Sequence, residues 1–187
     1  DRETYDVSFD YVGSSTIGLG LDCVKNGGQS LLFANTRTSA AKLAVDSGSL
    51  IQKTLSKNEL DELSKISKKI LSNNEHTQLV KKLASVVKQG VGFHHAGLNQ
   101  NCREIIENEF RNGRIKLLSA TPTLAAGVNL PARRVVISSV LRYNAQYGGN
   151  IPISVLEYKQ LCGRAGRPQY DDEGESIIIG KNNQELL

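Results

Sequence analysis

Methionine is absent from the 187 residues, position 1 included, and the chain starts Asp1-Arg2-Glu3, as expected of a segment taken from a longer protein. Cysteine is scarce. Cys23, Cys102 and Cys162 form an odd, scattered set without paired spacing, which implies neither a disulfide framework nor a zinc site and points to a reducing, intracellular compartment. No run approaches the roughly 18 apolar residues of a spanning helix and no signal-peptide pattern is present, so a soluble chain with no membrane partner is expected. Also missing are a Gly-x-x-x-x-Gly-Lys-Ser/Thr loop and an Asp-Glu-x-His or Asp-Glu-x-Asp box. Gly18, Gly20, Gly27 and Gly28 do not supply the loop, because no lysine and hydroxyl follow in register. The main cradle for nucleotide phosphates and magnesium is therefore lacking. The net charge of +4 and pI near 9.0 permit polyanion binding without requiring it, and the length suits one domain.

Five compact apolar runs carry the strand signal. They are Ser30-Leu31-Leu32-Phe33-Ala34, Val91-Gly92-Phe93, Ile115-Lys116-Leu117-Leu118-Ser119, Arg133-Arg134-Val135-Val136-Ile137 and Ser176-Ile177-Ile178-Ile179. Upstream, Tyr5, Val7, Phe9 and Tyr11 alternate with polar residues, as in a half-buried strand or an extended arm. Ile17, Leu21 and Val24 predict a short helix over 16–25, weakened by Gly18 and Gly20. A helix begins after Thr38-Ser39. Ser56 with Glu59 opens another over 56–72, with Leu60, Leu63, Ile66 and Ile70 on one stripe. Leu79, Leu83, Val86 and Val87 mark a further helix ending at Gly90, and Asn99 caps one carrying Cys102, Ile105, Ile106 and Phe110. Strands alternating with helices predict an α/β fold with a mostly parallel central sheet.

Loops at the carboxyl ends of such strands are where these sheets place ligands, which makes Arg37 a candidate, though a plain surface arginine fits equally. His94-His95 with Cys102 nearby invites a metal, but no third ligand stands at suitable spacing and no metal site is expected. Thr121, Thr123, Gly127 and Asn129 follow the third strand. Hydroxyls and backbone N–H groups there suit a phosphate, and the Asn129 amide suits a ribose hydroxyl or a bridge to Arg167; a helix cap with a turn fits as well. Gly148-Gly149-Asn150 predicts a hairpin whose arms carry Arg142, Tyr143 and Tyr147, residues able to stack on bases and hold phosphates, or to form an ordinary surface hairpin.

Gln160-Leu161-Cys162-Gly163-Arg164-Ala165-Gly166-Arg167-Pro168 is the most specific stretch. A capping box of Ser154 and Glu157 opens its helix, Val155, Leu156 and Leu161 supply an apolar face, and two arginines stand at the helix end. Paired guanidinium forks suit a polyphosphate, although a solvated basic helix end has the same look. The whole stretch resembles motif VI of the superfamily two helicases in its Ski-two-like form. Phe33-Ala34-Asn35-Thr36-Arg37 resembles motif IV, Phe93 to Leu98 motif IVa, and Ala120 to Ala132 motif V. Together they resemble the second RecA-like motor domain of that branch, in particular the archaeal HelQ-type DNA helicases.

The resemblance implies a RecA-like domain over 30–187, a lead-in over 1–29, a helical insert at about 56–89 and a strand-separating hairpin at 142–153. Arg167 would then be the arginine finger on the ATP γ-phosphate, Arg164 a second phosphate contact, and Gln160, Gly127 and Asn129 further contacts at the nucleotide. Arg37, His95, Thr121, Thr123, Arg142, Tyr143 and Tyr147 would meet nucleic acid. It also implies ATP and Mg²⁺ held mainly by a first lobe, single-stranded and forked DNA or else RNA as substrate, and a cytoplasmic setting if the source is an archaeon. Two other readings stay open: an RNA helicase lobe, and a non-catalytic scaffold.

Overall fold

The computed structural model describes residues 8–144, 146–167 and 170–180, so the expected alternation at Tyr5 and Val7 lies outside the described residues. Five parallel strands form the central sheet: β1 (Ser30–Phe33), β2 (Val91–His94), β3 (Leu117–Ala120), β4 (Arg134–Ile137) and β7 (Glu175–Ile178), in the order β2-β3-β1-β4-β7. The four strands β1 to β4 are buried along their whole length, which explains why they read as unbroken apolar runs rather than alternating ones. The pair β5 (Leu141–Asn144) and β6 (Gly149–Pro152) forms a separate antiparallel hairpin.

Helices cover both faces of the sheet. On one face lie α1 (Ser15–Lys25) and α2 (Arg37–Gln52). Ser119 of β3 donates its hydroxyl to the Ala40 carbonyl of α2 at 2.5 Å, and Gly20 of α1 stands against the Leu117 and Leu32 side chains. On the other face Gly92 of β2, opposite Leu118 of β3, meets Ile106 of α5 (Gln100–Arg111).

Gly18 and Gly20 have a packing reason in α1. A Cβ at Gly18 would stand 2.8 Å from the Asp10 carbonyl oxygen, so this glycine lets the arm before α1 lie directly on the helix. The described part of that arm, residues 8–12, forms no strand; Phe9 packs on α1 and Asp10 pairs with Lys25 at 2.7 Å.

Between α2 and β2 lie α3 (Lys57–Ser72) and α4 (Gln78–Val87). Leu63, Ile66 and Ile70 of α3 and Val80, Leu83, Val86 and Val87 of α4 belong to the same core cluster as the sheet, and Ser67 donates to the Ala84 carbonyl across the two helices at 2.7 Å. The capping box at Ser56 forms in both directions, and Lys116 lies 2.9 Å from Glu59. These donors hold the Glu59 carboxyl at about 2, against an ordinary 4.5, with the hydrogen bond from Lys116 the largest cause. A depressed carboxylate contributes stability that is present above the unfolded-state value and is lost as pH falls through the folded one. Glu59→Gln is therefore expected to flatten the acid limb of a stability-versus-pH curve between about 4.5 and 2, leaving it steep if the contact is unimportant.

The short helices α6 (Thr123–Gly127) and α7 (Val155–Cys162) complete the fold. Two expectations for α7 fail. Val155 and Leu156 are 71% and 68% exposed, and of the three expected apolar residues Leu161 alone is buried. Of the expected capping box only half forms: Ser154 accepts from the Glu157 N–H at 3.1 Å, whereas the Glu157 carboxylate pairs with Arg142 of β5 at 2.7 Å. An arriving guanidinium outcompetes the neutral backbone N–H for that carboxylate. No helix among the described residues is long and apolar enough to cross a membrane.

Candidate functional site

All five strands run the same way, so the sheet has an amino edge and a carboxyl edge, and the candidate residues sort onto them.

At the amino edge, α7 ends and the chain turns beside the start of β4. Ala132 and Ala165 form an isolated parallel bridge, with the Ala132 N–H donating to the Arg164 carbonyl at 2.9 Å and the Gly166 N–H to the Ala132 carbonyl at 2.7 Å. Gly166 has φ +89°, a conformation that a side chain would strain. The turn is thus fastened to the sheet at the place where it presents its arginines. Arg164 donates from Nη1 to Asn129 Oδ1 at 2.9 Å. Arg167 donates to both Asp171 oxygens, at 2.7 Å from Nε and 2.6 Å from Nη2, and from Nη1 to Gln29 Oε1 at 2.8 Å. The Tyr170 ring lies 5.8 Å from its guanidinium carbon. Hydrogen bonding from Arg167, outweighing burial, holds the Asp171 carboxyl below the usual carboxylate range.

Gln29, Arg111, Asn129, Pro131, Arg167 and Tyr170 line a cavity of about 570 Å³ here. The Asn129 amide oxygen meets Arg164, not Arg167, which corrects the expected bridge. The physical reason is that Arg167 is already engaged by Asp171 four residues along and by Gln29. Gln160 is exposed on α7 and Gly127 faces open space at the end of α6, so neither is brought to this cavity.

At the carboxyl edge stand the loops after β1, β2 and β3. Arg37, the first residue of α2, and His95, just after β2, line a second cavity of about 450 Å³ together with Thr38, Lys42 and Lys82. His95 stacks on Phe93, with ring centroids 5.5 Å apart and planes 16° from parallel. Its Nδ1 accepts from the Gly97 N–H at 3.1 Å, and burial, then the charge of Arg37, pushes its pKa down. A neutral imidazole with Nδ1 as acceptor carries its proton on Nε2, so His95 is a donor. His94 takes a different partner: its Nε2 lies 2.8 Å from Glu107 on α5, so the adjacent histidines do not converge. Thr121 and Thr123 share a hydrogen bond at 3.0 Å; Thr123 is exposed, whereas Thr121 and His95 are 8% and 3% exposed.

The hairpin also springs from the carboxyl edge, after β4. Asn35 Nδ2 donates to the Leu141 carbonyl at 2.5 Å, tying its base to the loop after β1. Tyr143 and Tyr147 are 67% and 72% exposed, whereas Arg142 is engaged by Glu157. Residues 121–133 run from the end of β3 to the start of β4, so this one segment reaches from the threonines at the carboxyl edge to Asn129 at the amino edge.

Gln29, Asp171, Arg111 and Tyr170 were not singled out from the sequence. Asp171 carries a legible signal, an arginine followed four residues later by an acid before a strand. Gln29 carries none, since it lies 138 residues from Arg167.

The strand order, the parallel register and the two-faced helical cover make this a RecA-like α/β lobe. A model of the helicase conserved C-terminal domain family matches residues 14–169, and the chain belongs to that family. It is 47% identical over 165 residues to the ATP-dependent DNA helicase Hel308 of Methanocella arvoryzae, covering 88% of this chain and 22% of that protein. To the Hel308 proteins of Caldivirga maquilingensis and Pyrococcus horikoshii it is 41% identical over 175 and 163 residues, covering 93% and 87% of this chain and 23% and 22% of those proteins. The chain thus spans under a quarter of the length of these relatives.

Proposed function

We propose that the chain is the second motor lobe of an ATP-dependent DNA helicase, coupling ATP hydrolysis to movement along single-stranded DNA and to duplex unwinding, in repair or at stalled forks. One observation carries the reading. Phosphate-suited arginines occupy one edge of the sheet and the nucleic-acid candidates the other, and residues 121–133 join the two. Relatives at 41–47% identity are named as DNA helicases, which favours DNA over RNA.

ATP would sit in a cleft between this lobe and a first lobe, with Arg164 and Arg167 approaching the γ-phosphate. Asp171 is taken up by Arg167, and no group of three His, Cys, Asp or Glu side chains converges among the described residues, which supports a reading in which the acidic ligands of Mg²⁺ would stand on the first lobe. Closure of the cleft would move the carboxyl edge along one strand. Arg37, His95, Thr121 and Thr123 would hold phosphate and sugar, contacts that carry little sequence information. Tyr143 and Tyr147 would meet the duplex junction. A stacked base is worth about 1–3 kcal/mol, comparable with the mean ~1.4 kcal/mol of a DNA base-pair step, so a short wedge can rectify the motion. The motor would work inside the cell, in the cytoplasm if the source is an archaeon.

The test uses the full-length parent protein. Its ATP hydrolysis is expected to be stimulated several-fold more by a thymidine strand than by a uridine strand, with forked DNA unwound only when ATP is present. Equal or stronger stimulation by the uridine strand would move the reading to an RNA helicase of the same branch.

A further inference from the structure

We propose that Gln29 is a positioning residue for Arg167, registering the guanidinium to the sheet so that it meets the phosphate in one geometry; the inference rests on the motor reading above.

Gln29 stands immediately before β1 and is 4% exposed. Its backbone is fixed, since its carbonyl accepts from the Arg134 N–H at 3.2 Å. Its amide nitrogen donates to two main-chain carbonyls, Phe110 at the end of α5 and Ile115 before β3, both at 2.7 Å. Carbonyls only accept, so the amide has one permitted orientation, with the nitrogen toward Phe110 and Ile115 and the oxygen toward Arg167. That oxygen accepts from Nη1 at 2.8 Å.

Asp171 and Gln29 divide the task. Asp171 lies four residues from Arg167 and holds the guanidinium relative to its own loop, whereas Gln29 holds it relative to the sheet. A guanidinium has five N–H donors. Asp171 takes those on Nε and Nη2 and Gln29 takes one on Nη1, leaving one N–H on each Nη for a phosphate. The arginine is therefore held ready while still able to donate. A finger free to swing would have to find its geometry at each turnover, and a misplacement of about 1 Å costs up to about 10²-fold in rate.

The experiment measures single-strand-stimulated ATP hydrolysis by the full-length parent, comparing Gln29→Met, which keeps length without polar atoms, with Gln29→Asn, whose amide is one methylene too short to reach Arg167. Both are expected to lower kcat by about 10- to 100-fold, with little change in KM for ATP or in single-stranded DNA affinity. In an Arg167→Ala background the same substitutions are expected to have no further effect, because Gln29 acts through that side chain. Thermal melts of each variant accompany the assays, and a variant that has unfolded at the assay temperature is replaced by the other. An unchanged kcat, or the same fold-loss with Arg167 already removed, would overturn the positioning role. If Arg167→Ala itself leaves the rate intact, the motor reading fails first; if it abolishes the rate and Gln29→Met does not, only the role of Gln29 fails.

Discussion

Replacing Arg167 with alanine in the full-length parent is expected to lower single-strand-stimulated ATP hydrolysis about 10³-fold while single-stranded DNA binding is retained. An arginine finger is worth roughly 10³ to 10⁵ in rate. The lower end applies here because Arg111 lines the same cavity and Arg164, three residues away, bonds Asn129 there, so the site keeps two cations. A thousandfold corresponds to about 4 kcal/mol of transition-state stabilisation. The competing effect is structural. Asp171 has a side chain only 4% exposed, and without Arg167 it loses the donor that holds its charge. Arg167→Lys separates the two effects, since it keeps a cation beside Asp171 but removes the planar fork. Activity near that of Arg167→Ala with an unchanged melting temperature would locate the loss in the chemistry. An undiminished rate in Arg167→Ala would make this turn a structural helix end and reopen the scaffold reading.

The retention of DNA binding in that variant follows from the architecture. Arg167 is at the amino edge of the sheet and Arg37 and His95 are at the carboxyl edge, so its loss leaves the proposed track for the strand untouched. A protein that lost both functions together would contradict the division of the two edges.

Much of the sheet was legible because a parallel strand buried on both faces must be apolar throughout, and Leu31, Leu32, Phe33, Val135 and Val136 satisfy that locally. Where hydrogen bonding rather than burial sets the boundary, the reading slipped. Ile115 is buried and apolar, yet its N–H donates to Glu109, so β3 starts two residues later at Leu117. Leu156 shows the reverse error: its spacing suits a helix face, but the described residues offer it no cover and it stays 68% exposed. The glycines of α1 lower its helix propensity, and the close packing that requires them is set by the fold, not by the local sequence.

For the site, the motifs bring Arg164, Asn129 and Arg167 into one neighbourhood, but Asn129 bonds Arg164 and Arg167 bonds Gln29. Short-range order is visible in sequence; the identity of a guanidinium's partner depends on the fold bringing Gln29 from the far side of 138 residues. The same limit hid the engagement of Arg142 by Glu157, which looked like a free basic arm next to two tyrosines.

Phe93→Ala is expected to destabilise this chain by about 3–5 kcal/mol, read as a lower urea midpoint with an unchanged m-value. Phe93 is wholly buried on β2, an edge strand of the sheet, and is level with Ser119 on the face covered by α2. Truncation removes the ring's burial and leaves a cavity that a close-packed sheet face cannot collapse around, and both terms act in the same direction. The loss would be a large share of the 5–15 kcal/mol typical of a domain. A local consequence accompanies it. The Phe93 ring is the platform under His95, and the Gly97 N–H fixes that imidazole from the side, so removing the ring leaves only one of its two restraints. Single-stranded DNA affinity of the folded fraction is therefore expected to fall several-fold, as it would in His95→Ala, which keeps the phenyl core and should cost far less stability. A Phe93→Ala loss below about 1 kcal/mol would show that β2 does not seal this edge of the sheet. Full affinity in both variants would remove His95 from the DNA track while leaving Arg37 on it.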